Sequence, residues 1–112
     1  MRIAVVGSRN ISVVDLERYL PWNTSQIISG GARGVDTCAR QYALSHGIEY
    51  VEYLPEYNIY GRSAPIKRNE KIIGHSDIVL AFWDGKTRGT KYVIDRCKKL
   101  GVEVRVYILQ PN

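Results

Sequence analysis

Three short stretches join glycine to arginine or a hydroxyl in a way that suits a phosphate: Gly7 to Asn10 (GSRN), Gly30 to Gly34 (GGARG) and Asp84 to Thr90 (DGKTRGT). Glycine lets backbone N–H groups come close to a ligand. The amino end of a helix adds unpaired donors and partial positive charge. Arg9, Arg33 and Arg88 would supply bidentate donors to an oxyanion. One such stretch is as readily a tight strand-to-helix turn that binds nothing; three on the same edge of a sheet favour a ligand. Asp36 and Asp84 are the carboxylates near these stretches and the candidates for acid–base work. Each has a plainer reading, Asp36 as a helix cap and Asp84 as the residue that orders a turn.

Other polar and aromatic residues are graded by position. Asn69 falls on the inward face of a helical pattern, where a buried amide needs partners. It is expected to clamp a loop backbone, with Arg68 beside it as the ligand contact. Tyr57 and Tyr60 lie in the segment after the third strand and are candidates to stack on a base. His46 and His75 have no carboxylate, serine or cysteine at a suggestive spacing, so neither receives a catalytic role. Cys38 and Cys97 show no CxxC spacing and read as small hydrophobes on helix faces. No metal site and no cofactor are expected.

These residues need elements to hold them. Runs 2–6, 26–29, 48–54, 77–83 and 102–109 are rich in β-branched and aromatic residues and read as five strands. Runs 3–6 and 78–83 are nearly all apolar, as when both faces of a parallel strand are covered, so strands 1 and 4 are expected at the centre. Ser12 and Asp15 resemble a capping box opening a helix over 12–20. Val35, Cys38, Ala39, Tyr42 and Ala43 follow helical spacing up to Gly47. Pro65 opens a third helix with Ile66, Ile72 and Ile73 on one face, and a fourth runs over 89–100 with Val93, Ile94, Cys97 and Leu100 inward. Strict βαβ alternation predicts right-handed crossovers and a parallel sheet between helices. In such a sheet the loops leaving the carboxyl ends of the strands line the crevice.

The chain has 112 residues, the size of a single domain, and 45% hydrophobic with 24% charged residues argues against disorder. One domain over 1–112 is therefore expected. No run is long enough for a signal-peptide core or a membrane span, which predicts a cytoplasmic protein without a membrane partner. The net charge of +5 is uneven: residues 1–59 carry five Lys+Arg against six Asp+Glu, and residues 60–99 carry ten against four. The second half carries the positive field that would attract phosphate or nucleic acid.

Taken in order, GSR, SGGARGVDTCARQYA, YGRSAPIKRNEKI and SDIVLAFWDGKTRGTKYVID resemble the SLOG superfamily of Rossmann-like proteins, and most closely its small YspA-like branch. The superfamily includes the lonely-guy phosphoribohydrolases and the DNA-processing protein A family. The resemblance implies a three-layer α/β fold, a five-stranded parallel sheet in the order 3-2-1-4-5, and a nucleotide-type ligand where strands 1 and 4 meet. It implies phosphate-cradling roles for Gly7, Ser8, Arg9, Gly30, Gly31, Arg33, Gly34, Asp36, Arg68, Asn69, Gly85, Gly89 and Thr90. It also makes a homodimer plausible. The phosphoribohydrolases place a glutamate three residues after their GT pair, and here that place holds Val93; Asp95 is about 200° further round the helix. The expected function is therefore binding of a phosphate-containing nucleotide such as ADP-ribose, an NAD derivative or a nucleoside monophosphate. Nucleotide N-glycoside hydrolysis and single-stranded nucleic-acid binding are the alternatives.

Overall fold

A computed structural model describes all of residues 1–112. Its strands are β1 (Arg2–Gly7), β2 (Gln26–Ser29), β3 (Glu49–Glu52), β4 (Ile78–Trp83) and β5 (Glu103–Ile108). All neighbours pair in parallel, in the order β3-β2-β1-β4-β5. The helices are α1 (Val35–Ser45), α2 (Tyr57–Tyr60), α3 (Ala64–Gly74) and α4 (Arg88–Leu100).

Alternation along the strands builds two cores, one on each face of the sheet. Ile3, Val5, Ile27, Leu80 and Phe82 pack against Val35, Ala39 and Ala43 of α1. Ala4, Val6, Ile28, Val79 and Ala81 pack against Ile72 and Ile73 of α3 and Val93, Ile94 and Cys97 of α4. The apolar runs of β1 and β4 are thus buried on both sides, as central strands of an α/β sheet must be. No helix is long and apolar enough to cross a membrane.

The helix expected over 12–20 does not form. Only Leu16–Arg18 makes a 3-10 turn, and Asp15 caps it without a side-chain hydrogen bond, its carboxylate being taken by Arg18 at 2.9 Å. Ser12 instead accepts from Asn112 Nδ2 at 2.9 Å. The residues that anchor the segment, Ile11, Val13 and Leu16, are all buried, whereas Val14 is 94% exposed. Burial at Ile11 and Val13, two apart, suits an extended chain rather than a helical turn. Pro21 also disfavours helical geometry at the preceding residue, and fewer than three turns nucleate poorly alone.

Two inward assignments also fail. Ile66 is 46% exposed, since the early α3 residues that face the cavity are Pro65, Arg68 and Asn69 and Ile66 lies outside its lining, and Leu100, in the last turn of α4, is 50% exposed. The segment 55–64, between the third strand and the third helix, contains α2 and a 3-10 turn at Gly61–Ser63. Both cysteines are free: Cys97 is buried, its thiol pushed up to about 11 by burial, while Cys38 is half-buried and accepts from the Val13 N–H through Sγ at 3.4 Å. Of the two tryptophans, Trp22 is 96% exposed and Trp83 ends β4 half-buried.

Candidate functional site

The carboxyl ends of β1, β2 and β4 open on one cavity of about 310 Å³. The turn after β1 contributes Gly7, Arg9 and Asn10, and the turn after β2 contributes Gly30, Ala32 and Asp36. The start of α4 contributes Thr87, Gly89 and Thr90, and α3 closes the remaining side with Pro65, Arg68 and Asn69. The three glycine-bearing stretches therefore meet in one place. Asn10, Ala32, Pro65 and Thr87 belong to the lining without having been singled out in the sequence as site residues.

Glycine is required at the base of this arrangement. A side chain at Gly7 would collide with the Phe82 carbonyl and lie 2.7 Å from Val35 Cγ2. Gly34, with φ +72°, would set a Cβ 2.5 Å from the Arg9 carbonyl oxygen, so the turns after β1 and β2 are in contact through their backbones. Gly34 thus joins the two turns and does not itself line the cavity.

The turn after β4 is tied to the turn after β1 by a closed chain of hydrogen bonds. Asp84 N–H donates to Ser8 Oγ at 3.2 Å, and Thr87 Oγ1 donates to Asp84 Oδ1 at 2.6 Å. The Thr87 proton is thereby committed, so in the 2.9 Å contact between the two hydroxyls Ser8 is the donor. Asp84 Oδ1 also accepts from the Lys86 and Thr87 N–H groups at 2.9 and 2.8 Å. The Thr87 hydroxyl, followed by these two amides, holds the Asp84 carboxyl well below the usual carboxylate range. Asp84 orders its turn and lies outside the cavity lining. Ser8 is 1% exposed, and its hydroxyl is spent inside the protein. Trp83 Nε1 completes the anchoring by donating to the Thr87 carbonyl at 3.0 Å. Thr87→Val should cost about 1.5–3 kcal/mol, the range for a hydrogen bond to a charged group. A urea denaturation midpoint indistinguishable from wild type would show that the ring adds no stability.

Behind this ring, α4 starts with free donors. Its first intrahelical bond runs from Lys91 N–H to the Thr87 carbonyl at 3.3 Å, which leaves the amides of Arg88, Gly89 and Thr90 without a partner in the helix. Thr87 makes no side-chain capping bond to them. Gly89 and Thr90 both face the cavity. Such an end attracts anions.

Arg68 takes the clamping role expected of Asn69. Arg68 Nη1 donates to the Gly30 carbonyl at 2.8 Å, so the arginine is the clamp on the loop. Asn69 Oδ1 accepts from Arg68 Nε at 2.8 Å and sets the guanidinium in place. The remaining N–H groups of Arg68 are unspent. Arg9 makes no side-chain hydrogen bond or ion pair, and it lines the same cavity. Burial, and after it the neighbouring Arg9 charge, lowers the Arg68 pKa below its ordinary value, against the fields of Asp36 and Tyr57. Two guanidinium groups thus share a cleft with no acid at ion-pair distance from either.

Of the remaining sequence-based candidates, Asp36 is on the cavity wall and the others lie elsewhere. Arg33 and Arg88 are exposed and outside the lining, Gly31 faces a neighbouring hollow, and Gly85 sits at the tip of its turn with φ +83°. Tyr57 and Tyr60 are 59% and 38% exposed on α2. The field of Tyr57 reaches Arg68, and Lys67 Nζ lies 6.0 Å from the Tyr60 ring centroid. Asp36 is 6% exposed on the cavity wall; burial raises its carboxyl above the ordinary value, with the Ala32 N–H opposing. Val93, where the phosphoribohydrolases carry glutamate, is buried and also lines the cavity.

The family model for DNA recombination-mediator protein A matches residues 1–57, a stretch that includes the turns after β1 and β2 and Asp36. Gene 61 protein of Mycobacterium phage D29 is 31% identical over 84 residues, an alignment covering 70% of this chain and 67% of the phage protein. No solved structure matches the chain.

Proposed function

Since the chain belongs to the DNA recombination-mediator protein A family, we propose that the cleft at the carboxyl edge of its sheet binds the phosphate of a nucleotide or nucleotide derivative. The observation that carries this reading is that Arg9 and Arg68 line one cavity, with no acid at ion-pair distance from either, together with the free amides at the start of α4. Two like charges in one cleft repel, and an anion between them relieves the repulsion and compensates the partial burial of Arg68. The volume, about 310 Å³, is at the small end of the roughly 300–1,000 Å³ of ligand clefts. It suits one nucleotide unit, as in a nucleoside monophosphate. A larger derivative such as ADP-ribose or NAD would extend toward α2, where Tyr57 offers a stacking face. A place in the YspA-like branch is part of the same reading.

Calorimetric titration with AMP, ADP-ribose, NAD and inorganic phosphate tests it. Saturable binding by at least one nucleotide is expected, weakened at least tenfold by Arg9→Ala and unchanged by Arg33→Ala, which lies outside the cleft. An absence of binding across the panel, at concentrations up to the millimolar range, removes the reading.

A second reading, a single strand of nucleic acid as the ligand, is favoured by the family's description and by one surface feature. Arg62 and Lys67 accompany the exposed Tyr57 and Tyr60, a basic and aromatic combination suited to stacked bases. Strand binding whose affinity falls steeply with salt would support it. N-glycoside hydrolysis has less behind it, because Asp84 is outside the lining, Val93 offers no carboxylate, and Asp36 is left as the single acid–base candidate on the cavity wall.

A further inference from the structure

One acidic group stands inside the cationic cleft. Asp36, in the first turn of α1, is 94% buried by its 6% exposure, and its side chain forms part of the wall. Oδ2 accepts from the Ala32 N–H at 3.1 Å. Oδ1 is buried and has no hydrogen-bond partner, the only side-chain atom of the molecule in that condition. No cation comes within ion-pair distance of it. Arg68 and Asp36 instead approach the same glycine: a Cβ on Gly30 would lie 2.5 Å from Arg68 Nη1 and 3.0 Å from Asp36 Oδ2. Guanidinium and carboxylate therefore stand close together on the cavity wall, unpaired.

A buried polar atom without a partner costs about 1–3 kcal/mol, and more when charged. Asp36 is not the cap of α1, a place that Gly34 takes, and to tie the preceding turn through the Ala32 N–H it needs only Oδ2. A carboxylate in this position also opposes the anion that Arg9 and Arg68 attract. A ligand with a hydrogen-bond donor near its anionic end answers both difficulties, since the anion meets the arginines and the donor meets the carboxylate. The sugar of a ribonucleotide carries such donors.

We propose that the Asp36 carboxylate accepts a hydrogen bond from a ribose hydroxyl, so that the cleft selects ribonucleotides over analogues lacking that hydroxyl. This rests on the nucleotide reading above. An O–H donor to a carboxylate makes a strong, short bond, and a site built for a hydroxyl rejects the ligand without it because the acceptor is then left unpaired.

The test is calorimetric titration of wild type and Asp36→Asn with AMP, 2′-deoxy-AMP and 3′-deoxy-AMP. Asparagine is nearly isosteric and keeps an oxygen for the Ala32 N–H; circular dichroism checks that the variant folds. Wild type should bind one of the deoxy analogues at least tenfold more weakly than AMP. In Asp36→Asn that ratio should fall below threefold, with affinity for the deoxy analogue held or improved because the opposing charge is gone. Three affinities within twofold of one another in wild type overturn the proposal and leave nucleotide binding intact. Equal discrimination in the folded variant overturns the role of Asp36, and if the variant does not fold, the wild-type ratio decides. Failure of AMP to bind at all overturns the proposal, and the nucleotide reading falls with it only if ADP-ribose and NAD also fail to bind.

Discussion

Replacing Gly7 by alanine should lower the melting temperature by about 12 °C or more. Gly7 closes β1 and pairs with Phe82 of β4 at the centre of the sheet. An added methyl group would strike the Phe82 carbonyl and approach Val35 Cγ2 and Cβ to 2.7 and 2.9 Å. Neither neighbour has room to yield: Phe82 accepts from Ser8 N–H at 3.0 Å, and Val35, the first residue of α1, is fully buried. Overpacking a core costs about 1–3 kcal/mol and sometimes more. A clash with central backbone belongs at about 3 kcal/mol or above, and at roughly 4 °C per kcal/mol for a domain of this size that gives the stated shift. Thermal unfolding followed by circular dichroism measures it. A shift under about 3 °C would mean that the strand end adjusts freely and that the turn above it is not held rigidly.

The second large effect is on binding. Arg68→Ala removes a partly buried cation from the cavity wall and also frees the Gly30 carbonyl it holds. Hydrogen bonds to charged groups contribute about 1.5–3 kcal/mol, and with tenfold per 1.4 kcal/mol the affinity for AMP or phosphate should fall about 10- to 150-fold. Gly30→Ala is the companion variant. Its methyl group would meet Arg68 Nη1 at 2.5 Å, the end of a flexible side chain, so the guanidinium moves aside while the charge stays. It should weaken binding in the same direction and by less. Full affinity in a folded Arg68→Ala protein would place the ligand elsewhere.

Much of this architecture is readable from the sequence for local reasons. Apolar runs at β1 and β4, with amphipathic patterns between short strands, lead to the parallel sheet and its two central strands, while its full order comes from the family resemblance. The glycines at 7 and 34 mark where backbone must pass backbone, and the one at 30 leaves room for the Arg68 and Asp36 side chains. Contacts between distant segments are less accessible. Arg68 holds Gly30, 38 positions away, and which member of the Arg68–Asn69 pair does so depends on side-chain rotamers. Periodicity is equally silent about loop side chains, so Arg9, Arg33 and Arg88 look alike in sequence, yet only Arg9 lines the cavity. The segment 12–20 misleads because Ser12 and Asp15 have capping-box spacing, while its buried anchors demand an extended path. Thr87 was legible in principle: an aspartate three residues before a threonine, across a glycine, is a turn whose carboxylate gathers the following amides and hydroxyl.

Trp83 has a spectroscopic consequence. Its indole N–H is bonded to the carbonyl of Thr87, the residue that caps α4 at the cavity. Any shift of that turn alters the polarity around a half-buried fluorophore, whereas Trp22, almost wholly in water, emits as a constant red-shifted background open to quenching by iodide. The blue side of the intrinsic emission therefore belongs to the mouth of the cleft, and the chain carries its own optical label there.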